Sequence, residues 1–224
     1  ARLEELVDRR IDQMLPSFAS GVDLRGLTLD TVAKNYQQLG TSGSSNQGRF
    51  LNTEVYGAQA GNQATKTSWL ASLSTTSLKD ILNRPPSMTS TAVKKTEAAR
   101  TRLLIPGDEE HWLVESIGLY AGETAMMASD PSISVGLSAV QELCRTAERL
   151  GTIAHAAERG QVCVDLDYTD FNILHTHSRL KRVWLKMANS LCSAGQVAGK
   201  ELESMSAREF TSYACRWSAA ALTN

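Results

Sequence analysis

The sequence predicts an α+β chain that is mostly helical. Several stretches repeat apolar residues at helical spacing, and only short runs have strand character. Strands and helices do not alternate as a regular βαβ repeat would require. No internal repeat is evident.

The first helix is expected over 2–15, where Leu3, Leu6, Val7, Ile11, Met14 and Leu15 share one face. Pro16 is expected to stop it. A shorter helix is expected over 27–38. From Leu39 to Ser68 the composition shifts to Gly, Ser, Thr, Asn and Gln, and 40–48 (GTSGSSNQG) reads as a loop. Helical periodicity returns over 67–83 and ends at Pro85–Pro86. Residues 91–95 and 99–105 read as two short strands around a tight bend, closed by Pro106–Gly107. Helices are expected over 109–129, after an acidic start at 108–110 that suits a helix N-terminus, and over 134–158. Residues 161–166 read as a buried strand. Two more helices are expected over 174–195 and 206–222.

The chain has 224 residues, 42% hydrophobic and 21% charged, with a formal net charge of −1. That is enough chain to bury a core without disulfides. Near-neutral charge excludes a molecule that attracts nucleic acid as a whole, so phosphate binding must come from a local patch. No run approaches the ~18 apolar residues of a membrane span, and no signal-peptide pattern is visible. The chain opens on Ala1 rather than Met, as expected of a processed product or a piece of something longer. Cys144, Cys163, Cys192 and Cys215 are far apart, with no CxxC. They are expected to be buried free thiols in a reducing compartment.

The stretch VCVDLDYTDFNILH, 162–175, carries the chemistry. An apolar run ends in Asp165, Asp167 and Asp170, followed by Phe171 and Asn172. Carboxylates at an open strand end suit a hard cation such as Mg²⁺. A second segment, 93–107 (VKKTEAARTRLLIPG), gathers Lys94, Lys95, Arg100 and Arg102 around one acid, Glu97. Strand alternation places Arg100 and Arg102 on one face. Arg forks and a Lys point charge suit phosphate oxygens. A metal-binding end and a basic strand together describe a phosphoryl-transfer site.

These residues resemble a known family. Asp167-Tyr-Thr-Asp-Phe-Asn-x-x-His175 is similar to motif A of viral RNA-directed RNA polymerases, in the form found in totivirus-like double-stranded RNA viruses. Lys95-x-Glu97-x-x-Arg100-x-Arg102 resembles motif F, which precedes motif A in those enzymes as it does here. The Gly/Ser loop at 40–48 sits where motif G falls. The resemblance implies the fingers and first palm strand of a right-hand polymerase fold. By it, 1–39 is an N-terminal helical segment and 40–158 is fingers with motif F. Residues 159–185 open the palm with motif A, and 186–224 return to fingers helices. It implies that Asp167 binds catalytic Mg²⁺ (or Mn²⁺), with the Tyr168 carbonyl near one ion and Asp170 in support. Asn172 takes the place of a ribose-facing acid, Arg102 reaches the triphosphate and base, and Lys95 and Arg100 line the nucleotide channel, braced by Glu97. The implied partners are RNA template and product, ribonucleoside triphosphates, the remainder of a polymerase chain and a viral capsid protein, with no membrane. The implied location is the virion interior and the host cytoplasm. The family's Ser-Gly motif B and Gly-Asp-Asp motif C do not follow motif A in this sequence. The chain is therefore expected to be a polymerase fragment, inactive alone.

Other readings stay open on the residues alone. Asp165-Leu-Asp167-Tyr-Thr169 fits the first motif of haloacid-dehalogenase-like phosphatases, with Asp165 as nucleophile and Asp167 as general acid. A calcium loop would use the same acids, without the glycine and terminal Glu of an EF-hand. A non-enzymatic, capsid-associated helical protein would leave both motifs to coincidence. His175 and His177 form a weak metal pair. Trp69, Trp112, Trp184 and Trp217 are expected in the core.

Overall fold

A computed structural model describes residues 2–35, 39, 65–90, 92–96, 101–104, 107–129, 138–162 and 176–223. The described chain is mostly helical, with one two-stranded hairpin. Its elements are α1 (Arg2–Arg25), α2 (Leu29–Asn35), α3 (Lys66–Ser72), α4 (Thr75–Asn83), β1 (Val93–Thr96) and β2 (Thr101–Leu104). They continue with α5 (Glu109–Ser129), α6 (Ala139–Glu158), α7 (His177–Leu191), α8 (Ala194–Val197), a 3-10 turn at Leu202–Ser204, and α9 (Ala207–Ala221).

Pro16 does not stop α1, which runs on to Arg25. A proline inside a helix costs about 3 kcal/mol. Continuing the helix places Phe18 and Val22 in the core, both fully buried. Each such side chain contributes about 1.5–3 kcal/mol, enough to offset the proline. The helix expected over 67–83 is two helices instead. Ser74 accepts from the backbone N–H of Ser77 and caps α4, so the chain restarts there. Reciprocal capping boxes open α3 (Thr65, Ser68), α6 (Ser138, Gln141) and α9 (Ser206, Glu209).

Four helices make the bundle that carries everything else. α5 packs along α1 and α9, α7 packs along α9, and α1 closes the ring against α7. The approach of α1 to α5 depends on glycine. A Cβ on Gly122 would stand 2.1 Å from the Phe18 ring, and one on Gly21 would stand 2.5 Å from the Ala121 carbonyl oxygen. Across the other contact, an acidic row on α1 meets a basic row on α7. Glu4 lies 3.4 Å from Arg179, Asp8 pairs with Arg182, and Lys186 lies 3.7 Å from Asp8. One apolar cluster holds Phe18, Trp184, Met187, Leu191 and Cys215. The larger one joins α2, α3 and α4 to α5 and α9 through Trp69, Leu82, Leu113, Ile117, Phe210 and Trp217.

Three of the four tryptophans are buried as expected, and Trp112 is partly exposed with Lys66 stacked 4.5 Å from its ring. The expectation for the thiols is only partly met. Cys215 is buried, Cys192 is intermediate and Cys144 is exposed, because α6 buries no residue at all. Cys163 lies outside the described residues, as does most of the strand expected over 161–166.

Candidate functional site

The basic segment forms the hairpin that its alternation predicts. β1 and β2 pair antiparallel with Val93 opposite Leu104, Lys94 opposite Leu103, Lys95 opposite Arg102 and Thr96 opposite Thr101. An isolated bridge between Ser90 and Gly107 keeps the same register at the root. The described pairs of the ladder and the bridge share one register. Lys94 is exposed. Lys95 and Arg102 occupy directly opposed positions, which places two cationic residues in one cross-strand pair.

The root of the hairpin is tied to the helical core through Asp108. Its Oδ1 accepts the His111 backbone N–H at 2.8 Å and so caps α5, while its Oδ2 accepts the Thr89 N–H at 2.8 Å. Arg84, at the end of α4, reaches the same corner. Its Nη2 lies 3.4 Å from Asp108 Oδ1, and its Nη1 pairs with Glu110. The guanidinium sits 5.3 Å from the centre of the Trp217 ring, and the Trp217 Nε1–H donates to the Arg84 carbonyl at 3.3 Å. One arginine thus joins α4, the α5 N-terminus, α9 and the hairpin root. Planar, multivalent Arg suits that position where Lys would not.

Behind Asp108 lie two titratable groups, a buried His111 and a partly exposed Glu115. His111 is 3% exposed, 6.1 Å from the Trp217 ring, and its Nε2 has no hydrogen-bond partner among the described residues. Burial lowers its pKa, Asp108 opposes that and Arg84 adds to it. Its Nδ1 lies 3.6 Å from Glu115 Oε2, too far for a hydrogen bond. Burial pushes the Glu115 carboxyl up to about 7. Two open clefts flank Arg84. One of about 420 Å³ is lined by Trp69, Ser77, Asp80 and Glu110. The other, of about 540 Å³, is lined by Pro86, Lys200, Tyr213 and Arg216.

Of the residues the sequence singles out, the structure brings Lys95 and Arg102 together as register partners. Glu97, Arg100, Asp165, Asp167, Tyr168, Asp170, Asn172 and His175 lie outside the described residues. Among the described residues no group of three or more His, Cys, Asp or Glu is placed to hold a metal ion. The acids on which the metal expectation rests are not among them.

No family model, curated protein or solved structure matches this chain. The site therefore stands on its own residues. Among the described residues no helix is long and apolar enough to cross a membrane. Sequence reading missed Arg84, Glu110, His111 and Glu115 as a cluster. The only available signal was Arg84 immediately before Pro85–Pro86, paired with the acidic run at 108–110.

Proposed function

We propose that the chain is part of an RNA-directed RNA polymerase that copies viral RNA by Mg²⁺-dependent nucleotidyl transfer. The observation that carries this reading is the hairpin. The motif F-like segment pairs Lys95 with Arg102 in one register upstream of the Asp167 stretch. Like charges at opposed positions repel unless an anion lies between them, and a triphosphate supplies that anion. The reaction is attack of a 3′-hydroxyl on the α-phosphate of a ribonucleoside triphosphate, with pyrophosphate leaving.

The donor set fits a hard cation, since Asp165, Asp167 and Asp170 are all carboxylates. When bound, Mg²⁺ would neutralise phosphate charge beside the developing alkoxide. In this reading Asp167 holds the metal with the Tyr168 carbonyl, and Asp170 supports the strand end. Lys95, Arg100 and Arg102 bind and orient the triphosphate, and Glu97 braces those cations. Asn172 donates to or accepts from the ribose 2′-hydroxyl, the group that marks a ribonucleotide. Partners would be RNA template and product, the remainder of a polymerase chain and a capsid protein, within a virion or the host cytoplasm.

The test is equilibrium binding of a fluorescent ribonucleoside triphosphate to the purified chain, with and without Mg²⁺. Arg102→Ala is expected to weaken binding about tenfold, the loss of one charge-assisted contact. Asp167→Ala is expected to remove the Mg²⁺ dependence while leaving single-stranded RNA binding intact. Unchanged nucleotide binding in both variants would contradict the reading. Phosphate release from a phosphomonoester, abolished by Asp165→Asn, would assign the stretch to a phosphatase instead.

A further inference from the structure

α6 is a 20-residue helix, well capped by its Ser138–Gln141 box, that buries none of its residues. Its large apolar side chains face solvent: Val140 is 72% exposed, Leu143 70%, Leu150 62% and Ile153 43%. Their spacing is specific. Val140, Leu143, Ala147, Leu150, Ala154 and Ala157 recur three and four apart, which is the seam of a two-stranded coiled coil. All six are exposed. We propose that this face is the interface of a homodimer, in which α6 packs antiparallel against α6 of a second copy.

Three observations select that occupant. The first is size. An antiparallel pair centred between Glu148 and Arg149 sets Val140 against Ala157, Leu143 against Ala154, and Ala147 against Leu150. Every layer then joins one large and one small residue, the arrangement that interdigitates without voids. A parallel pair would set alanine on alanine in three layers and leave gaps. The second is charge. The positions flanking the seam are Ala139, Cys144, Thr146, Gly151, Ile153 and Glu158, and the single charge lies at the helix end, across from Ala139 of an antiparallel copy. Charges along the middle of the seam would choose a different partner or repel an identical one, and in an antiparallel pair the two Glu158 side chains stand at opposite ends. The outer face carries Glu142, Arg145, Glu148 and Arg149, balanced in sign, rather than the Lys/Arg-rich face of a helix lying on a membrane. The third is area. A helix of this length spans about 30 Å. A six-residue seam along that length, half of it alanine, belongs at the small end of specific interfaces, in keeping with a weak dimer. The proposal is independent of the polymerase reading.

Sedimentation velocity of the purified chain over a hundredfold concentration range tests it. A monomer–dimer equilibrium in the micromolar range is expected. Leu143→Glu with Leu150→Glu is expected to give a monomer at every concentration, with unchanged helicity and melting temperature measured at low concentration. Orientation is read by mixing a Val140→Cys copy with an Ala157→Cys copy, each also carrying Cys144→Ser. Oxidation is expected to join 140 to 157. Cross-links of 140 to 140 would overturn the antiparallel seam. A wild-type chain that stays monomeric throughout would overturn the dimer. So would a monomer whose melting temperature falls in the double variant, because the face would then be covered within one chain. Sedimentation of the chain with neutral phosphatidylcholine vesicles, lost in the double variant, would assign the face to lipid and overturn it as well.

Discussion

Lys95 and Arg102 lie directly opposite one another in the β1–β2 ladder. Two cationic residues in one cross-strand pair oppose folding of the hairpin by a few tenths of a kcal/mol to about 1 kcal/mol. In the proposed function a bound anion between them would offset that repulsion.

That trade-off is open to test. Arg102→Glu turns the pair into opposite charges. Amide exchange at positions 94–96 and 101–104 is expected to slow, a gain of about 0.2–1 kcal/mol in hairpin stability. Triphosphate binding is expected to fall in the same variant. Faster exchange would show that the pair does not repel.

The α1–α5 crossing tolerates no side chain at Gly122. A Cβ there would meet the Phe18 ring at 2.1 Å, and Phe18 is fully buried and cannot yield. Gly122→Ala gains about 1 kcal/mol in helix propensity. The overpacking costs about 1–3 kcal/mol or more at so short a distance. Net destabilisation is expected in urea denaturation, with partial rescue by Phe18→Leu.

Arg84 holds the hairpin to the core. Arg84→Met would leave Asp108 and Glu110, with side chains 12% and 10% exposed, without this partner. Removing one member of a buried pair costs about 3–5 kcal/mol, and the 29% exposure of the Arg84 side chain lowers the expected loss below that range, to about 2–3 kcal/mol. Exchange at Thr89 and Ser90 should accelerate more than exchange within α9. Uniform acceleration would show a global effect with no special role at the root.

Glu115 makes stability depend on pH. Its carboxyl is raised from 4.5 to about 7 by burial. Between those values the folded chain keeps a proton that the unfolded chain releases. The contribution is fully present below 4.5 and is lost as pH rises through about 7. The side chain is 33% exposed, so solvent screening limits the effect to of order 1–2 kcal/mol. His111, lowered from 6.5, acts in the opposite sense: its contribution is present above 6.5 and lost as pH falls through the folded value. Glu115→Gln is expected to abolish the decline between 4.5 and 7 in denaturant midpoints, leaving the histidine slope. An unchanged profile would contradict the Glu115 assignment.

Local rules account for much of what the sequence revealed. Ser74, Ser138 and Ser206 cap helices where Ser precedes a periodic run. The hairpin follows from alternation on both sides of residues 97–100. Pro16 misleads because its cost is local while the burial of Phe18 and Val22 is tertiary. The Arg84 cluster was not legible, since Asp108 is 24 residues away and Trp217 is 133. α6 has the pattern of a core helix, yet among the described residues none of its side chains is buried.

The proposed function requires Arg102 and Asp167 to serve one nucleotide site. The direct measurement replaces Mg²⁺ with paramagnetic Mn²⁺ and reads line broadening at the Lys95 and Arg102 amides in the presence of a ribonucleoside triphosphate. Strong broadening, abolished by Asp167→Ala, is the expected result. Sharp Lys95 and Arg102 signals beside a bound, Asp167-dependent Mn²⁺ would separate the hairpin from the acidic stretch and contradict the account.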